Sequence, residues 1–166
     1  DINNYEITNI DLNSFFEDGQ NFTFTIRKKD DLKVTTLFSS RAKPLVKNYK
    51  FIKGFEGGSL DFNSINNGNE TKSTIRIYDF KLQQLPVLTK LLTLASLQGI
   101  ADLLSGEGIR FNEFEMNFST TKNLIKIEEI YAIGPAISVL MEGYVEKNKL
   151  ISLRGTLVPA TTLNKT

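Results

Sequence analysis

The sequence predicts a mainly β protein, on the basis of two recurring patterns and one exception to them. Short runs in which apolar and polar residues alternate recur along the chain, as in Phe22 to Arg27. Such alternation is typical of strands with one buried and one solvated face. Polar turn residues separate the runs at short intervals, so neighbouring strands are expected to pair antiparallel in a meander. The exception is the leucine-rich segment 86–105, the only good helical candidate of any length.

These patterns together define the expected architecture. We expect a curved, strongly twisted antiparallel sheet of about eight to ten strands, shaped as an open groove or half-barrel. One or two short helices at about 86–105 would cover part of it. A further short helical turn is possible at 13–17. The predicted hairpin turns lie at 30–31, 66–69, 121–123, 134–135 and 147–148.

The apolar positions of the alternating runs define one face of this sheet, either a packed core or the wall of a groove. The candidate residues for this face are Phe22, Phe24, Ile26, Leu60, Phe62, Ile75, Ile77, Ile125, Ile127, Ile137, Val139, Met141, Ile151 and Leu153. In the run 125–133 the alternation also places Tyr131 and Ile133 on this face, with Glu129 as an exception. Further side chains expected on this face are Phe80, Phe111, Phe114, Met116 and Phe118. The phase changes between Phe111 and Phe114, which we interpret as a β-bulge at Asn112-Glu113.

The segment 86–105 has a helical period with a break in the middle. Pro86 suits the first turn of a helix, and Gly106 suits its end. At 100° per residue the apolar stripe reverses by about half a turn near 96–99. Either one helix is buried on both sides, or two short helices are hinged there, and the interior Gly99 favours two helices. The apolar residues expected to form this helical cap are Leu88, Leu91, Leu92, Ala95, Leu97, Ile100, Leu103 and Leu104.

The composition narrows the function classes. The length of 166 residues fits one domain, 1–166. Twenty basic residues are balanced by nineteen acidic ones, which argues against a nucleic-acid partner. The chain has no histidine and no cysteine, so it lacks the commonest general base and the commonest soft metal ligands. We therefore expect no enzyme activity, no catalytic residues, no cofactor and no metal site.

Three stretches carry a resemblance to a known family. The segments LPVLTKLLTLASLQGIADLLSGEGIRF and GPAISVLMEGYVEKNKLISLRGTLVPATTLNK, with FIKGFEGGSLDF before them, resemble the AsmA-like C-terminal domain of large bacterial envelope proteins of the AsmA and DUF3971 type, related to TamB. The resemblance covers about residues 49–165. It implies a fragment of a longer envelope-spanning protein, periplasmic and anchored in the inner membrane by a preceding helix, with neighbouring sheet units in the same chain.

The resemblance also implies a function. Proteins of this family are implicated in moving phospholipid from the inner to the outer membrane and in outer-membrane integrity. The expected function is therefore a non-enzymatic segment of a periplasmic lipid-transfer protein, whose apolar sheet face holds acyl chains. The alternative is a structural or assembly module with a fully packed core that pairs with neighbouring units through its edge strands.

Overall fold

The computed structural model describes residues 9–15, 21–46, 53–147 and 149–160, which form one antiparallel sheet and three short helices. The elements in chain order are β1 (Asn9–Phe15), β2 (Asn21–Lys29), β3 (Leu32–Ser39), α1 (Lys43–Val46), β4 (Lys53–Asn66), β5 (Thr71–Gln83), α2 (Pro86–Leu94), α3 (Gln98–Ser105), β6 (Ile109–Thr121), β7 (Leu124–Ile133), β8 (Ile137–Glu146) and β9 (Lys149–Pro159). The predicted mainly β antiparallel fold with short helices is confirmed.

The nine strands follow one another in the order of the chain, so the sheet is a simple meander. Each strand pairs antiparallel with the next. Within the described residues β1 and β9 do not pair with each other, and the sheet is open. The predicted turns between β2 and β3, β4 and β5, β6 and β7, and β7 and β8 are confirmed, whereas Asn148 lies outside the described residues. The predicted helical turn at 13–17 is wrong for Asn13–Phe15, which belong to β1, whereas Phe16 and Glu17 lie outside the described residues.

All three helices lie at one end of the sheet, which we call the helix end. The β5–β6 connection contains α2 and α3, and the β3–β4 connection contains α1. The opposite end, with the turns after β2, β4, β6 and β8, is the hairpin end. We call the face on which α2 and α3 pack the inner face. Leu88 and Leu92 of α2 and Leu104 of α3 belong to one buried cluster with Phe80 and Ile137 of the sheet.

The helical segment is two helices, as the interior glycine favoured, but the break does not involve that glycine. Ser96, at φ 61°, separates α2 from α3, while Gly99 lies inside α3. The Leu97 amide donates to the Leu92 carbonyl at 2.8 Å and the Ser96 amide donates to the Thr93 carbonyl at 3.0 Å. These two bonds form a Schellman motif, which satisfies the last carbonyls of α2. Pro86 opens α2 and Gly106 ends α3, as predicted.

The end of α3 is fastened to the end of β5. The Gln84 amide donates to the Leu104 carbonyl at 3.0 Å, and the Gly108 amide donates to the Leu103 carbonyl at 2.6 Å. The Gln83 side chain donates to the Gly106 carbonyl at 2.6 Å. All three bonds satisfy carbonyls at the end of α3 that would otherwise be free, and the bonds from Gln83 and Gln84 fix the helices against the helix end of the sheet.

The phase change near Phe111 is confirmed, but its predicted cause is wrong. Phe111 is buried and Phe114 packs against the core, so both are directed inwards. However, Phe111 lies opposite Phe80 and Phe114 lies opposite Ile77 in one unbroken register. No residue is therefore inserted in β6. Instead, β5 changes phase at the same level, where Asp79 has a φ of 53°.

The strand β7 contains a true bulge. Ile127 lies opposite Phe118, and Ile130 lies opposite Met116, so β7 has two residues, Glu128 and Glu129, where β6 has one. Because of the bulge, Ile130 lies on the inner face, and its neighbours Glu129 and Tyr131 lie on the outer face. The predicted inward positions of Tyr131 and Ile133 are therefore wrong, since they lie opposite Glu115 and Glu113 on the outer face.

Candidate apolar site on the inner face

The inner face is fully packed at the helix end. Phe55, Phe80 and Phe111 from three adjacent strands form a stack with ring centroids 5.3 and 5.5 Å apart, and Phe114 meets Phe80 edge-on at 6.3 Å. Such pairs stabilise by about 0.5–1.5 kcal/mol beyond the area that they bury. Leu92, Leu104 and Ile137 have 0 % of their surface exposed. At this end the helices therefore seal a core, in which the described inner-face side chains pack against one another.

The level of the sheet next to the helix end is mostly buried as well. Reading across the strands from β3 to β9, opposed residues on the inner face are Ser39, Leu60, Ile77, Phe114, Ala132, Val139 and Leu157. All of these are buried except Phe114 and Leu157, which are half-buried and pack against the core. This level is the boundary of the helix-covered core.

The next level is apolar on seven consecutive strands but is not sealed. Opposed inner-face residues from β2 to β8 are Phe24, Leu37, Phe62, Ile75, Met116, Ile130 and Met141. We call this set the middle row. Every member is half-buried. At about 4.8 Å between strands, the row extends over ~29 Å without a charged or hydrogen-bonding side chain.

Size explains why the helices cannot cover this row. Nine strands span eight intervals of about 4.8 Å, or ~38 Å. Helices of nine and eight residues are only ~12 to 14 Å long at 1.5 Å per residue. Among the strands, α3 approaches β5 and α1 approaches β4. An apolar face of this width thus exceeds the cover that the described helices provide.

Towards the hairpin end the inner face divides into two halves. On β3 to β5 the opposed residues are Thr35, Ser64 and Ser73, and the Ser73 hydroxyl donates to the Ser64 hydroxyl at 3.3 Å. On β6 and β7 the same level carries Phe118 and Ile127. The apolar surface therefore continues from the middle row only on the side of the later strands, where it includes Leu153 of β9.

The outer face differs in chemistry. The Thr74 hydroxyl donates to the Asn117 side-chain oxygen at 2.6 Å, and Arg76 pairs with Glu115 at 2.6 Å. The hydrogen bond to Glu115 raises the pKa of Arg76 above its ordinary value. The Thr25 and Thr36 hydroxyls also bond across β2 and β3. These cross-strand polar pairs are typical of a solvated face. Exposed apolar side chains such as Phe38 and Leu140 also lie on this face, but Asp61, Arg76 and Glu115 lie between them at the same level. A continuous apolar row is therefore found on the inner face, which is the candidate apolar site.

The predicted inner-face residues fall into three groups. Leu60, Ile77, Ile137 and Val139 belong to the buried core. The half-buried members are Phe22, Phe24, Ile26, Phe62, Ile75, Ile125, Ile127, Met141 and Leu153. Ile151 is the exception, because it is 47 % exposed and lies where the pairing changes from Tyr144–Ser152 to Val145–Leu150. One extra residue in β9 at this point breaks the alternation on which the prediction rested.

The predicted helical cap also divides by burial. Leu88, Leu92 and Leu104 are buried, and Leu91, Leu97 and Ile100 are half-buried. The predictions for Ala95 and Leu103 are wrong, since both are exposed. Ala95 is the C-cap of α2, and Leu103 lies on the side of α3 away from the buried Ala101 and Leu104.

Sequence reasoning missed two residues of the middle row. Ile130 was missed because the bulge shifts the alternation just before it. Two adjacent glutamates in an otherwise alternating run could have indicated this bulge. Leu37 lies in the run Val34-Thr35-Thr36-Leu37, which does not alternate. Its place depends on pairing with Phe24 and Phe62, for which the local sequence has no signal.

Other types of site have little support in the described part of the chain. No group of three or more acidic residues there is arranged to hold a metal ion. One open depression of about 380 Å³ is lined by Gln84, Pro86, Thr89, Lys90 and Ser105. A second, of about 360 Å³, lies at the hairpin end around Thr121 to Leu124. Both are away from the middle row.

Comparisons of the chain with protein-family models, with curated proteins and with solved structures gave no match. The resemblance to the AsmA-like domain therefore stays a prediction. None of the helices among the described residues has the length and hydropathy of a membrane span.

Proposed function

We propose that the middle row and the apolar surface beside it bind the acyl chains of a phospholipid. In this proposal the chain is a non-enzymatic segment of a periplasmic lipid-transfer protein that carries phospholipid from the inner to the outer membrane. The resemblance to the AsmA-like domain supports the location and the direction. The observation that carries the proposal is the middle row itself, seven half-buried apolar residues on consecutive strands.

The chemistry of the row fits a ligand that moves along it. Each methylene transferred from water to an apolar surface contributes about 0.8 kcal/mol. No polar side chain in the row fixes one position by a hydrogen bond, whereas ligand sites that hold one pose use a few placed polar groups. Acyl chains can therefore occupy many equivalent positions across the strands.

The direct experiment compares two charge substitutions on one strand. Ile130 and Tyr131 are adjacent in β7 and both half-buried, but Ile130 lies on the inner face and Tyr131 on the outer face. Lipid that copurifies with the native chain, with Ile130→Glu and with Tyr131→Glu is extracted and quantified by mass spectrometry. Binding of a fluorescent fatty acid is titrated in parallel. We expect Ile130→Glu to lose lipid and Tyr131→Glu to retain it, because a carboxylate on the row places charge against the acyl chains.

Thermal unfolding of the same proteins separates loss of binding from loss of fold. If Ile130→Glu keeps a cooperative transition near that of Tyr131→Glu but loses lipid, the site lies on the inner face. The proposal would be refuted by equal amounts of bound lipid in the two folded variants, or by no lipid on the native chain in either assay. If Ile130→Glu does not fold, Ile127→Glu at the less covered hairpin end provides the same comparison.

A second candidate function rests on the edges of the sheet. In the described residues β1 and β9 each pair with one neighbour only, and an unpaired strand edge can accept another strand. This favours an assembly module that pairs with neighbouring units. Sedimentation of the lipid-free chain over a range of concentrations tests it, since edge pairing predicts reversible association and lipid binding does not require it.

A further inference from the structure

The turn between β4 and β5 contains a chemically labile dipeptide. Asn67-Gly68 is the only Asn-Gly pair in the sequence, and both residues are exposed. In such a pair the backbone nitrogen of the glycine can attack the side-chain amide carbon of the asparagine, because glycine has no side chain to obstruct the approach. A Cβ added at Gly68 would have no atom within 4 Å, so no neighbouring group crowds the glycine.

The structure restrains the two reacting groups. The Gly68 amide donates to the Oδ1 atom of Asn66 at 2.7 Å. The Oδ1 atom of Asn67 accepts the amides of Asn69 at 3.0 Å and Glu70 at 2.9 Å. The Asn66 side chain is itself fixed, since its Nδ2 atom donates to the Thr71 hydroxyl at 2.7 Å. The nucleophile and its target are thus each held by a hydrogen bond to another group.

We propose that Asn67 is a site of spontaneous deamidation and that the Asn66 side chain slows this reaction in the folded protein. Water or hydroxide removes the Gly68 amide proton, and the nitrogen forms a bond to Cγ of Asn67. The bond from Cγ to the side-chain nitrogen breaks and ammonia leaves, which produces a succinimide. Water then opens the ring at either carbonyl and yields aspartate or isoaspartate. The Asn66 acceptor opposes the first step, because the proton must leave a hydrogen bond and the nitrogen must turn from it.

The two products have different consequences for the sheet. Aspartate keeps the side-chain oxygen that accepts the Asn69 and Glu70 amides. Isoaspartate routes the backbone through the side chain and adds one methylene to the connection. The hairpin starts directly beside this connection, with Asn66 opposite Thr71. The extra backbone atom is therefore expected to loosen the pairing of β4 with β5 in the interior of the sheet.

The experiment follows conversion by peptide mapping and mass spectrometry during incubation at mildly alkaline pH. The folded chain and the chain unfolded in urea are compared, with isoaspartate distinguished by methyltransferase labelling. Asp18-Gly19, which can also isomerise, lies in a separate tryptic peptide, since Arg27 and Lys53 lie between the two sites. We expect conversion at Asn67 in both states, several-fold slower in the folded chain.

Two variants at Asn66 separate the proposed protection from general loosening of the turn. Asn66→Ala removes the acceptor of the Gly68 amide and should accelerate conversion in the folded chain. Both variants lose the hydrogen bond that Asn66 donates to Thr71, but Asn66→Asp keeps an acceptor for the Gly68 amide. Asn66→Asp should therefore retain the slow rate. Circular dichroism of the incubated samples verifies that both remain folded. Equal acceleration in both variants would overturn the role of Asn66, and no conversion at Asn67 in urea would overturn the site.

Discussion

The structure indicates that α2 and α3 seal a core rather than cover the proposed lipid site, and two leucines of α2 test this assignment. Leu92 has 0 % of its surface exposed and Leu94 has 73 %. Both are in the same helix, two residues apart. We therefore compare Leu92→Ala with Leu94→Ala, which have the same chemistry and nearly the same effect on helix propensity. The buried position should be far more sensitive.

The expected magnitudes follow from the burial. Leucine-to-alanine changes in cores cost about 2–5 kcal/mol, which combines lost transfer free energy with a residual cavity. Leu92 lies in one cluster with Leu88, Leu104 and Phe80, so little collapse is available, and we expect ~3 kcal/mol. For a chain of this size each kcal/mol lowers Tm by about 2–4 °C, which amounts to ~6–12 °C. Leu94→Ala should change stability by no more than about 0.5 kcal/mol, as at other exposed positions.

Urea unfolding followed by circular dichroism measures both free energies of unfolding, and a scan in temperature gives Tm. Lipid is quantified in the same preparations. The sealed core predicts that Leu92→Ala loses stability while the remaining folded protein keeps its lipid. A Leu92→Ala variant as stable as Leu94→Ala, or one that folds normally and loses lipid, would refute the assignment of α2 to the core.

Two further predictions concern the end of α2 and the outer face. Ser96 occupies the left-handed C′ position of the Schellman motif, where glycine is favoured, so Ser96→Gly should raise the free energy of unfolding by up to about 1 kcal/mol, while Ser96→Ala should bring no gain. A double-mutant cycle should give the half-buried pair Arg76–Glu115, whose side chains are 38 % and 24 % exposed, a coupling free energy near the upper end of the range of about 0.2–1 kcal/mol. The same measurement should give almost no coupling for Arg154–Glu142, whose side chains are 79 % and 51 % exposed. Since the hydrogen bond to Glu115 raises the pKa of Arg76, the contribution of this cation is complete below its ordinary pKa and is lost only as pH rises through the raised value, so the coupling should not decline between neutral and moderately alkaline pH. Loss of stability in Ser96→Gly, or equal coupling in the two pairs, would contradict these expectations.

The strands and turns were predictable because their signals are local. Alternation places Phe22, Phe24 and Ile26 on one face without any knowledge of the partner strands. Polar pairs such as Asp30-Asp31 mark the hairpins. The direction of the meander follows from the short connections alone. These features depend on backbone geometry within a few residues, which is why they are correct.

The errors occur where a strand departs from a period of two. The bulge at Glu128 and Glu129 reverses the faces of Tyr131 and Ile133, and in β9 Ile151 is itself the extra residue that interrupts the alternation. Between β5 and β6 the opposite is found: β6 changes phase near Phe111 without an inserted residue, because β5 changes phase at the same level, at Asp79 next to the paired Phe80. One strand read alone cannot distinguish an insertion from a paired change. The register between strands decides it, and the register is a property of the folded sheet.

The extent of the candidate site was unpredictable for a related reason. Apolar alternation has the same appearance whether the face is sealed, as at Leu60, or half-buried, as at Phe62, which lies two residues further along the same strand. The difference arises from helices that are too short to cover both levels. Their position is fixed by bonds such as that from the Gln84 amide to the Leu104 carbonyl, which no local pattern indicates.

If the inner face binds lipid as proposed, the middle row also sets how strongly a lipid binds and from which source it is taken. An acyl chain that binds from water gains about 0.8 kcal/mol of binding free energy for each methylene that the row covers. The entropy lost on association reduces this gain. A chain taken from a bilayer gains nothing from this transfer, because it is already out of water. The row should therefore capture monomeric lipid tightly and release it to excess vesicles, which is the energetic balance that passage along a surface requires. Lipid that stays on the protein in the presence of excess vesicles would require polar recognition, which the seven side chains of the row do not offer. That result would contradict the proposed movement of acyl chains along the row, even if binding itself were confirmed.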